Sequence, residues 1–262
     1  MTAVLLLGIS LLAFAETPRT VFLEDLTSPE LAAQIRAGKT TILVPIGGTE
    51  QNGPHMALGK HNVRVRALAE KIALTLGNAI VAPVIAYVPE GAVNPPTGHM
   101  RYPGTITLPA DTYRKLIDSA ARSLKLAGFR DIVLLGDSGD YQKDNTAVAQ
   151  QLDREWAASN VRVHAIHDYY RVPTTWFAEA LKSRGYSEAE IGTHAGLADT
   201  SLMLAIDPRL VRGDLTQPMP GQKGLAGVAG DPRRASAEIG KIGVDAIVAQ
   251  TVQAIRSAVA TH

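Results

Sequence analysis

Carboxylate and imidazole side chains are concentrated in three glycine-containing loops of this 262-residue chain. The chain has no cysteine, so imidazole nitrogen and carboxylate oxygen are the strong metal ligands that it offers. Such ligands, brought together, suit a divalent ion such as Zn²⁺ or Mn²⁺. Any one of these residues alone is weak evidence, and only their convergence favours a site. The first loop holds Glu50, Asn52, His55 and His61, the second holds Asp137, Ser138 and Asp140, and the third holds His194 and Asp199.

Two of these loops follow apolar runs that predict buried strands, at residues 41–46 and 131–135. In an open α/β sheet, ligands bind at the carboxyl ends of the strands. A helix is predicted to follow the first loop, with Asn62 as its N-cap. Apolar residues at helical spacing, from Val65 to Leu76, support that helix. The sequence therefore predicts that the polar loops meet at one edge of a parallel sheet.

The remainder of the chain alternates strands and helices. Further strands are predicted over 79–88 and 161–166, and a long loop over 89–109. Helices are predicted over 28–34, 113–128, 148–156, 174–184, 200–205 and 244–259. This alternation predicts a single α/β domain with a mostly parallel sheet over residues 16–262.

The first 15 residues read as a targeting segment. An apolar stretch from Val4 ends in Ala13-Phe14-Ala15, a small-x-small cleavage pattern. We therefore predict a signal peptide over residues 1–15, cleavage before Glu16, and a periplasmic or secreted protein. The alternative is a buried N-terminal strand or helix.

Composition limits the partners. The chain is 46% apolar and 19% charged with a formal net charge of +1, so it can bury a substantial core. The sequence contains no run of basic residues of the kind that would indicate nucleic-acid binding. We expect a small-molecule substrate and no membrane span after signal cleavage.

The first loop also supports a family resemblance. Residues Gly48 to His61 closely resemble the signature loop of the creatininase (creatinine amidohydrolase) family, usually G-S-x-E-Q-H-G-P-H-L-P-L-x-x-D. Further similarities follow in order at Tyr102–Ile106 (F-P-G-T-I), Gly136–Asp140 (N-G-H-G-G-N), His194–Ser201 (H-A-G-x-x-E-T-S) and Gly230–Pro232 (G-D-P). The resemblance implies a three-layer α/β/α sandwich. It also implies a metal-dependent hydrolase of cyclic amides or related C–N bonds, commonly a homo-oligomer.

Several positions depart from the family pattern that the resemblance implies for a pair of metal ions. Glu50 is retained, but Asn52 replaces the histidine two residues later. His61 stands where the bridging aspartate is expected, and Asp137 stands where the second-motif histidine is expected. Asp199 replaces the glutamate of E-T-S.

Two interpretations follow. In one, His61 and Asp137 have exchanged roles, so that Glu50, His61, Asp137 and Asp199 hold one ion, Zn or Mn, rather than two. In the other, the metal site is lost and the fold serves as a non-catalytic binding or scaffold protein. Random loss leaves mixed small or apolar residues, whereas three of the four replacements here are Asp or His. The pattern favours an altered, working site.

The expected chemistry is attack of metal-activated water on a carbonyl. His194 is the candidate general acid that protonates the leaving group. The alternative interpretation is that His194 has a structural role, packed under the Ala195-Gly196 turn. The predicted substrate is a small cyclic amide, with lactones and formamides as close variants. Isomerisation of a sugar-like substrate, with Glu50 or Asp137 as base, is a third hypothesis. Predicted substrate-binding residues are Asn52, His55, His99 and Ser138, and aromatic-lid candidates are Tyr169, Tyr170 and Trp176.

Overall fold

A four-stranded parallel sheet forms the centre of the computed structural model, which describes residues 20–217 and 224–260. The predicted signal peptide, residues 1–15, lies outside the described residues. The strands are β1 (Thr41–Ile46), β2 (Ala79–Val81), β3 (Asp131–Gly136) and β4 (Arg162–Ala165), in the order β2-β1-β3-β4. Within the described ranges, no helix is long and apolar enough to span a membrane.

Nine α-helices accompany the sheet in the described part of the chain. Their bounds are α1 (Ser28–Arg36), α2 (Lys60–Leu76), α3 (Ala110–Ala127), α4 (Gln142–Glu155), α5 (Asp168–Thr174), α6 (Trp176–Lys182), α7 (Glu188–Ile191), α8 (Leu197–Ile206) and α9 (Ala237–Val259). Short 3-10 turns lie at Leu23–Asp25, Gly98–Arg101, Pro208–Leu210, Gly213–Leu215 and Pro232–Arg234.

Side chains alternate between the two faces of the sheet, as the period of a strand requires. Leu43 of β1 and Val133 of β3 belong to the apolar cluster formed with α2, α5, α6, α8 and α9. Their neighbours Ile42 and Ile132 belong to the opposite cluster, which α1, α3 and α4 complete. The predicted three-layer α/β/α architecture is therefore confirmed.

The predicted second strand, 79–88, is longer than the observed β2. The regular ladder with β1 stops at Val81; beyond it, Ile85 forms a single bridge to Ile46, and Val88 pairs with Thr107 instead. Pro83, two residues after Val81, has no N–H to donate to a ladder. The predicted helix at 174–184 corresponds to α6 (Trp176–Lys182), and α5, which ends just before it at Thr174, was not predicted.

Helix α2 begins at Lys60, with Gly59 as N-cap, so the prediction of Asn62 as N-cap is wrong. The Asn62 side chain instead accepts a hydrogen bond of 2.9 Å from the Gly48 backbone N–H. A Cβ at Gly47 would lie 2.2 Å from Asn62 Oδ1, so only glycine permits this approach. The earlier start places Lys60, His61 and Arg64 on the first turns of a helix that points at the sheet edge.

Candidate metal centre and active site

The three polar loops meet around a cavity of about 310 Å³ beyond the carboxyl ends of β1 and β3. Glu50 reaches it from the loop after β1, and Asp137 from the end of β3. His61 and Arg64 reach it from α2, and His194 from the loop before α8. This is the position at which an open parallel sheet binds ligands.

His61 lies between two carboxylates. Its Nε2 atom is 2.7 Å from Glu50 Oε1, and its Nδ1 atom is 2.6 Å from Asp137 Oδ2. An imidazole donates from both nitrogens only when it is protonated, so His61 and its two partners share one extra proton. The two residues whose roles were predicted to be exchanged, His61 and Asp137, are thus bonded directly to each other.

Two permanent cations extend this network. Arg64 Nε lies 2.9 Å from Asp137 Oδ2, and Arg64 Nη1 lies 2.7 Å from Asp199 Oδ1. Lys60 Nζ lies 2.9 Å from Asp199 Oδ2. Burial alone would raise the pKa of Asp199, but the charges of Lys60 and Arg64 outweigh it and hold that pKa well below its usual value. The tight pairing means that Asp199 would have to give up protein cations to bind a metal.

The carboxylate oxygens of Asp137 are likewise already bonded to several protein groups. The buried Tyr169 hydroxyl donates to Asp137 Oδ1 over 2.7 Å, in addition to the contacts from His61 and Arg64. Tyr169 therefore fixes the position of Asp137 through this hydrogen bond and does not line the cavity, whereas Tyr170 does. Trp176, the third lid candidate, is exposed and does not line it.

A carboxylate and two imidazoles form the arrangement best suited to a metal ion. Ligand atoms of Glu50, His99 and His194 all lie within 4.8 Å of one another. His99 Nε2 is 3.3 Å from Glu50 Oε2, and His194 Nδ1 is 3.8 Å from Glu50 Oε1. Two histidines and one carboxylate are a known ligand set for catalytic Zn²⁺ that leaves a position open.

The electrostatics of this cluster suit a cation. Burial, followed by the Lys60 charge, lowers the pKa of His194 to about 4, so its imidazole is neutral near pH 7, as a ligand must be. Burial alone would raise the pKa of Glu50, but the bond to His61 and the charges of His61 and Lys60 lower it well below its usual value. The cluster thus presents one carboxylate anion and a neutral imidazole at His194.

Formal charge favours one ion. With the extra proton counted on His61, the cavity lining has four carboxylates and three cationic side chains, which leaves a net charge of −1. One divalent ion changes that charge to +1, whereas two ions would leave +3. The carboxylates are Glu50, Asp137, Asp140 and Asp199, and the cations are Lys60, His61 and Arg64.

Gln51 contacts both imidazoles. Its side-chain amide can donate to His99 Nδ1 over 2.9 Å, which places the His99 proton on Nε2, so that proton must leave when an ion binds there. His194 Nε2 can donate to the Gln51 backbone carbonyl over 3.0 Å, and it then accepts nothing from the Gln51 amide 3.1 Å away. Donation from Nε2 leaves the Nδ1 lone pair facing Glu50, which is the tautomer that a ligand at Nδ1 requires.

The other predicted substrate contacts divide into two groups. His99 and Ser138 line the cavity. Asn52 is fully buried away from it and donates to the Glu50 and Ala57 carbonyls over 2.9 and 3.2 Å, which fixes the first loop. His55 is also buried, 3.0 Å from Thr200 Oγ1, and burial lowers its pKa.

Sequence reasoning missed the roles of Lys60, Arg64, Gln51 and Glu90. A helix beginning at Lys60 would have placed Lys60 and Arg64 on one face, since residues four apart are neighbours. Glu90 gave no such signal. It lies in the long loop, is 2% exposed, and burial together with the Glu50 charge raises its pKa to about 10.

The fold and site define a class of protein, an α/β/α sandwich with a carboxylate–imidazole centre at the carboxyl edge of its sheet. The sequence pattern of the creatininase family, described as creatinine amidohydrolase, matches residues 24–255. The chain therefore belongs to the creatininase family. The predictions of this family and of a metal-dependent amidohydrolase are confirmed.

Characterised relatives and solved structures agree. The chain is 28% identical over 200 residues to the creatinine amidohydrolase of Pseudomonas putida, covering 74% of each chain. It is 26% identical to the mycofactocin precursor peptide peptidase of Mycolicibacterium smegmatis, covering 79% of this chain and 81% of that one. A mutant creatininase structure superposes with a TM-score of 0.76 at 25% identity, covering 92% of this chain and 99% of the other. Creatininases of a Zn–Zn type and with Mn, each 26% identical, are also similar in fold.

Proposed function

We propose that this protein hydrolyses a small cyclic amide, or a related C–N bond, with one divalent ion, Zn or Mn, held by Glu50, His99 and His194. The observation that carries the proposal is the convergence of those three ligand groups in the cavity, with ligand atoms within 4.8 Å of one another. This set retains Glu50 from the sequence-based prediction. It replaces His61, Asp137 and Asp199, whose polar atoms already contact one another or a protein cation.

The cavity supports a compact substrate. Its volume, about 310 Å³, is at the lower end of the ~300–1,000 Å³ found for small-molecule sites. The lining combines the ion-binding groups with apolar residues, which include Pro173, Ala178, Ile191 and Leu202. The names of the relatives, an amidohydrolase and a peptide peptidase, are both consistent with cleavage of a C–N bond.

The ion, when bound, supplies hydroxide near neutral pH and polarises a carbonyl oxygen. Ser138, in the cavity wall, can donate a hydrogen bond that orients the substrate. The extra proton shared by Glu50, His61 and Asp137 can be given to the leaving nitrogen, the step that general acid catalysis must supply. The proton that the nucleophile loses then restores this network.

Elemental analysis of the purified protein tests the ligand set. We expect one equivalent of Zn or Mn in the wild type, and at least a tenfold loss in His99→Ala and in His194→Ala, because each removes a direct ligand. His167→Ala is the matched control, since His167 contacts Thr146 at 2.9 Å and does not line the cavity. Asp199→Asn separates the two ligand sets, and we expect it to keep the ion. Full occupancy in both His99→Ala and His194→Ala would contradict the proposal.

If His194→Ala alone keeps the ion but loses activity, His194 is the proton donor predicted from the sequence rather than a ligand. The ion would then need a third protein ligand other than His194, in addition to Glu50 and His99.

Non-catalytic binding is a second candidate function. The observation that favours it is the occupation of the Asp137 and Asp199 carboxylates by Lys60 and Arg64, which removes ligands for a second ion. Incubation of the metal-loaded protein with a panel of cyclic amides, followed by product analysis, distinguishes the two. Saturable binding without product would support the binding protein, and product formation that His99→Ala abolishes would support the hydrolase.

A further inference from the structure

We propose a second, outer divalent-cation site formed by Glu90, His99 and Asp140. One ligand atom from each residue lies within 4.8 Å of the other two. Glu90 and His99 come from the long loop after β2, and Asp140 comes from the loop after β3. Two carboxylates and one imidazole are hard and borderline ligands that suit Mn²⁺ or Zn²⁺.

The state of Glu90 points independently to a ligand. Its side chain is 2% exposed, and among the residues that the structure describes no hydrogen-bond donor reaches the two carboxyl oxygens, which instead lie against the Glu50 carboxylate. A buried polar group without a partner costs about 1–3 kcal/mol, so native structures rarely retain one without a reason. A bound cation would displace the carboxyl proton and give the Glu90 carboxylate a partner of opposite charge.

Local backbone geometry makes room for this carboxyl group. A Cβ at Gly48 would lie 2.7 Å from Glu90 Oε1, and Gly48 has a φ of +150° that side chains rarely adopt. The Glu90 backbone N–H is held by Thr107 Oγ1 over 3.0 Å. Glu90 is therefore anchored next to the metal centre in a position that its own charge disfavours.

The outer site shares His99 with the inner cluster of Glu50, His99 and His194. A neutral imidazole has one free lone pair, so His99 can serve only one of the two positions at a time. Asp140 is exposed and the His99 side chain is 26% exposed, whereas Glu50 is buried. The outer position is thus on the solvent side, where an ion can be captured and then passed inward by His99. This transfer role rests on the inner centre proposed above, but the outer site itself does not.

Equilibrium binding of Mn²⁺ to the metal-free protein, followed by the electron paramagnetic resonance of free Mn²⁺, tests the outer site. His194→Ala, or His194→Gln if the alanine variant is unfolded by circular dichroism, removes an inner ligand. We expect that variant to keep one weak site. Adding Glu90→Gln or Asp140→Asn should weaken the remaining site at least tenfold. Adding Glu24→Gln, an exposed glutamate outside the cavity, should not change it.

Two results would overturn the outer site. One is the absence of any bound Mn²⁺ in the folded His194 variant. The other is a remaining affinity that neither Glu90→Gln nor Asp140→Asn changes. If, in addition, otherwise wild-type protein carrying Glu90→Gln keeps one tight ion, the inner centre stands and only the outer site is refuted. Loss of the inner centre would instead appear as wild-type protein with no tight ion.

Stopped-flow uptake of Mn²⁺ tests the transfer role. With an otherwise wild-type sequence, Glu90→Gln should slow loading several-fold and leave the final occupancy unchanged, because the inner ligands are intact. An unchanged loading rate would refute the transfer role.

Discussion

Arg64 allows the electrostatic reasoning to be tested by a single substitution. It is buried and bonds two carboxylates, the buried Asp137 and Asp199, whose side chain is 20% exposed. Arg64→Met keeps most of the side-chain volume and removes the charge, which leaves both carboxylates short of a counter-ion. Removing one partner of a buried ion pair costs about 3–5 kcal/mol. Each carboxylate keeps another partner, since Tyr169 bonds Asp137 and Lys60 bonds Asp199, so we expect about 3 kcal/mol, the lower end.

Arg122→Met is a matched control. Arg122 also bonds two carboxylates, Asp118 and Glu155, and its contacts are as short, at 2.6 to 3.1 Å. Its side chain is 42% exposed, however, and exposed ion pairs contribute only about 0–1 kcal/mol. The comparison therefore separates the effect of burial from the number of bonds.

Thermal denaturation of the metal-free protein provides the measurement, with a chelator present because bound metal would itself raise the melting temperature. For a domain of this size, 3 kcal/mol corresponds to a decrease of roughly 6–12 °C. Arg64→Lys should give an intermediate value, because it keeps the charge but not the planar fork of donors. If Arg64→Met lowers the melting temperature no more than Arg122→Met, the network is not a buried ion pair in the sense argued, and the reasoning fails.

Further predictions concern packing, pH, export and assembly. Gly240→Ala should destabilise the protein by at least about 2 kcal/mol in denaturant titration, because the new Cβ would lie 1.8 Å from the Ser201 carbonyl oxygen. Gly213→Ala is the control and should be neutral, since a Cβ at Gly213 meets nothing within 4 Å. Hydrogen bonds from Ser187 and Arg234 lower the pKa of Glu190 from 4.5 to about 2, so its carboxylate stabilises the fold above pH 4.5 and less as the pH falls towards 2. The melting temperature of Glu190→Gln should accordingly lie below that of the wild type at neutral pH and approach it in acid, and a constant difference would contradict this. Export predicts Glu16 as the first residue by mass spectrometry, and an intact Met1 in a soluble cytoplasmic pool would refute it. The predicted homo-oligomer should be visible by light scattering at micromolar concentration, where a monomer would refute it.

Much of the fold could be predicted from local patterns. The apolar runs at 41–46 and 131–135 correspond to β1 and β3 within one residue, because strands buried on both faces need continuous apolar sequence. The polar segments after them had to lie at the carboxyl edge of the sheet, since that follows from parallel strands alone. The ordered motifs also identified the family without any coordinates.

The composition of the site was decided by contacts between distant parts of the chain. Lys60 meets Asp199 across 139 positions, and Gln51 meets His194 across 143, so no local spacing could indicate either contact. The start of α2 was misplaced because the Asn62 side chain bonds Gly48 rather than its own helix, and that error concealed Lys60 and Arg64. The sequence by itself determined which residue types were available at the sheet edge. Only tertiary packing decided which carboxylates are neutralised by protein cations and which remain for a metal ion, because burial and pairing depend on neighbours that the sequence does not place.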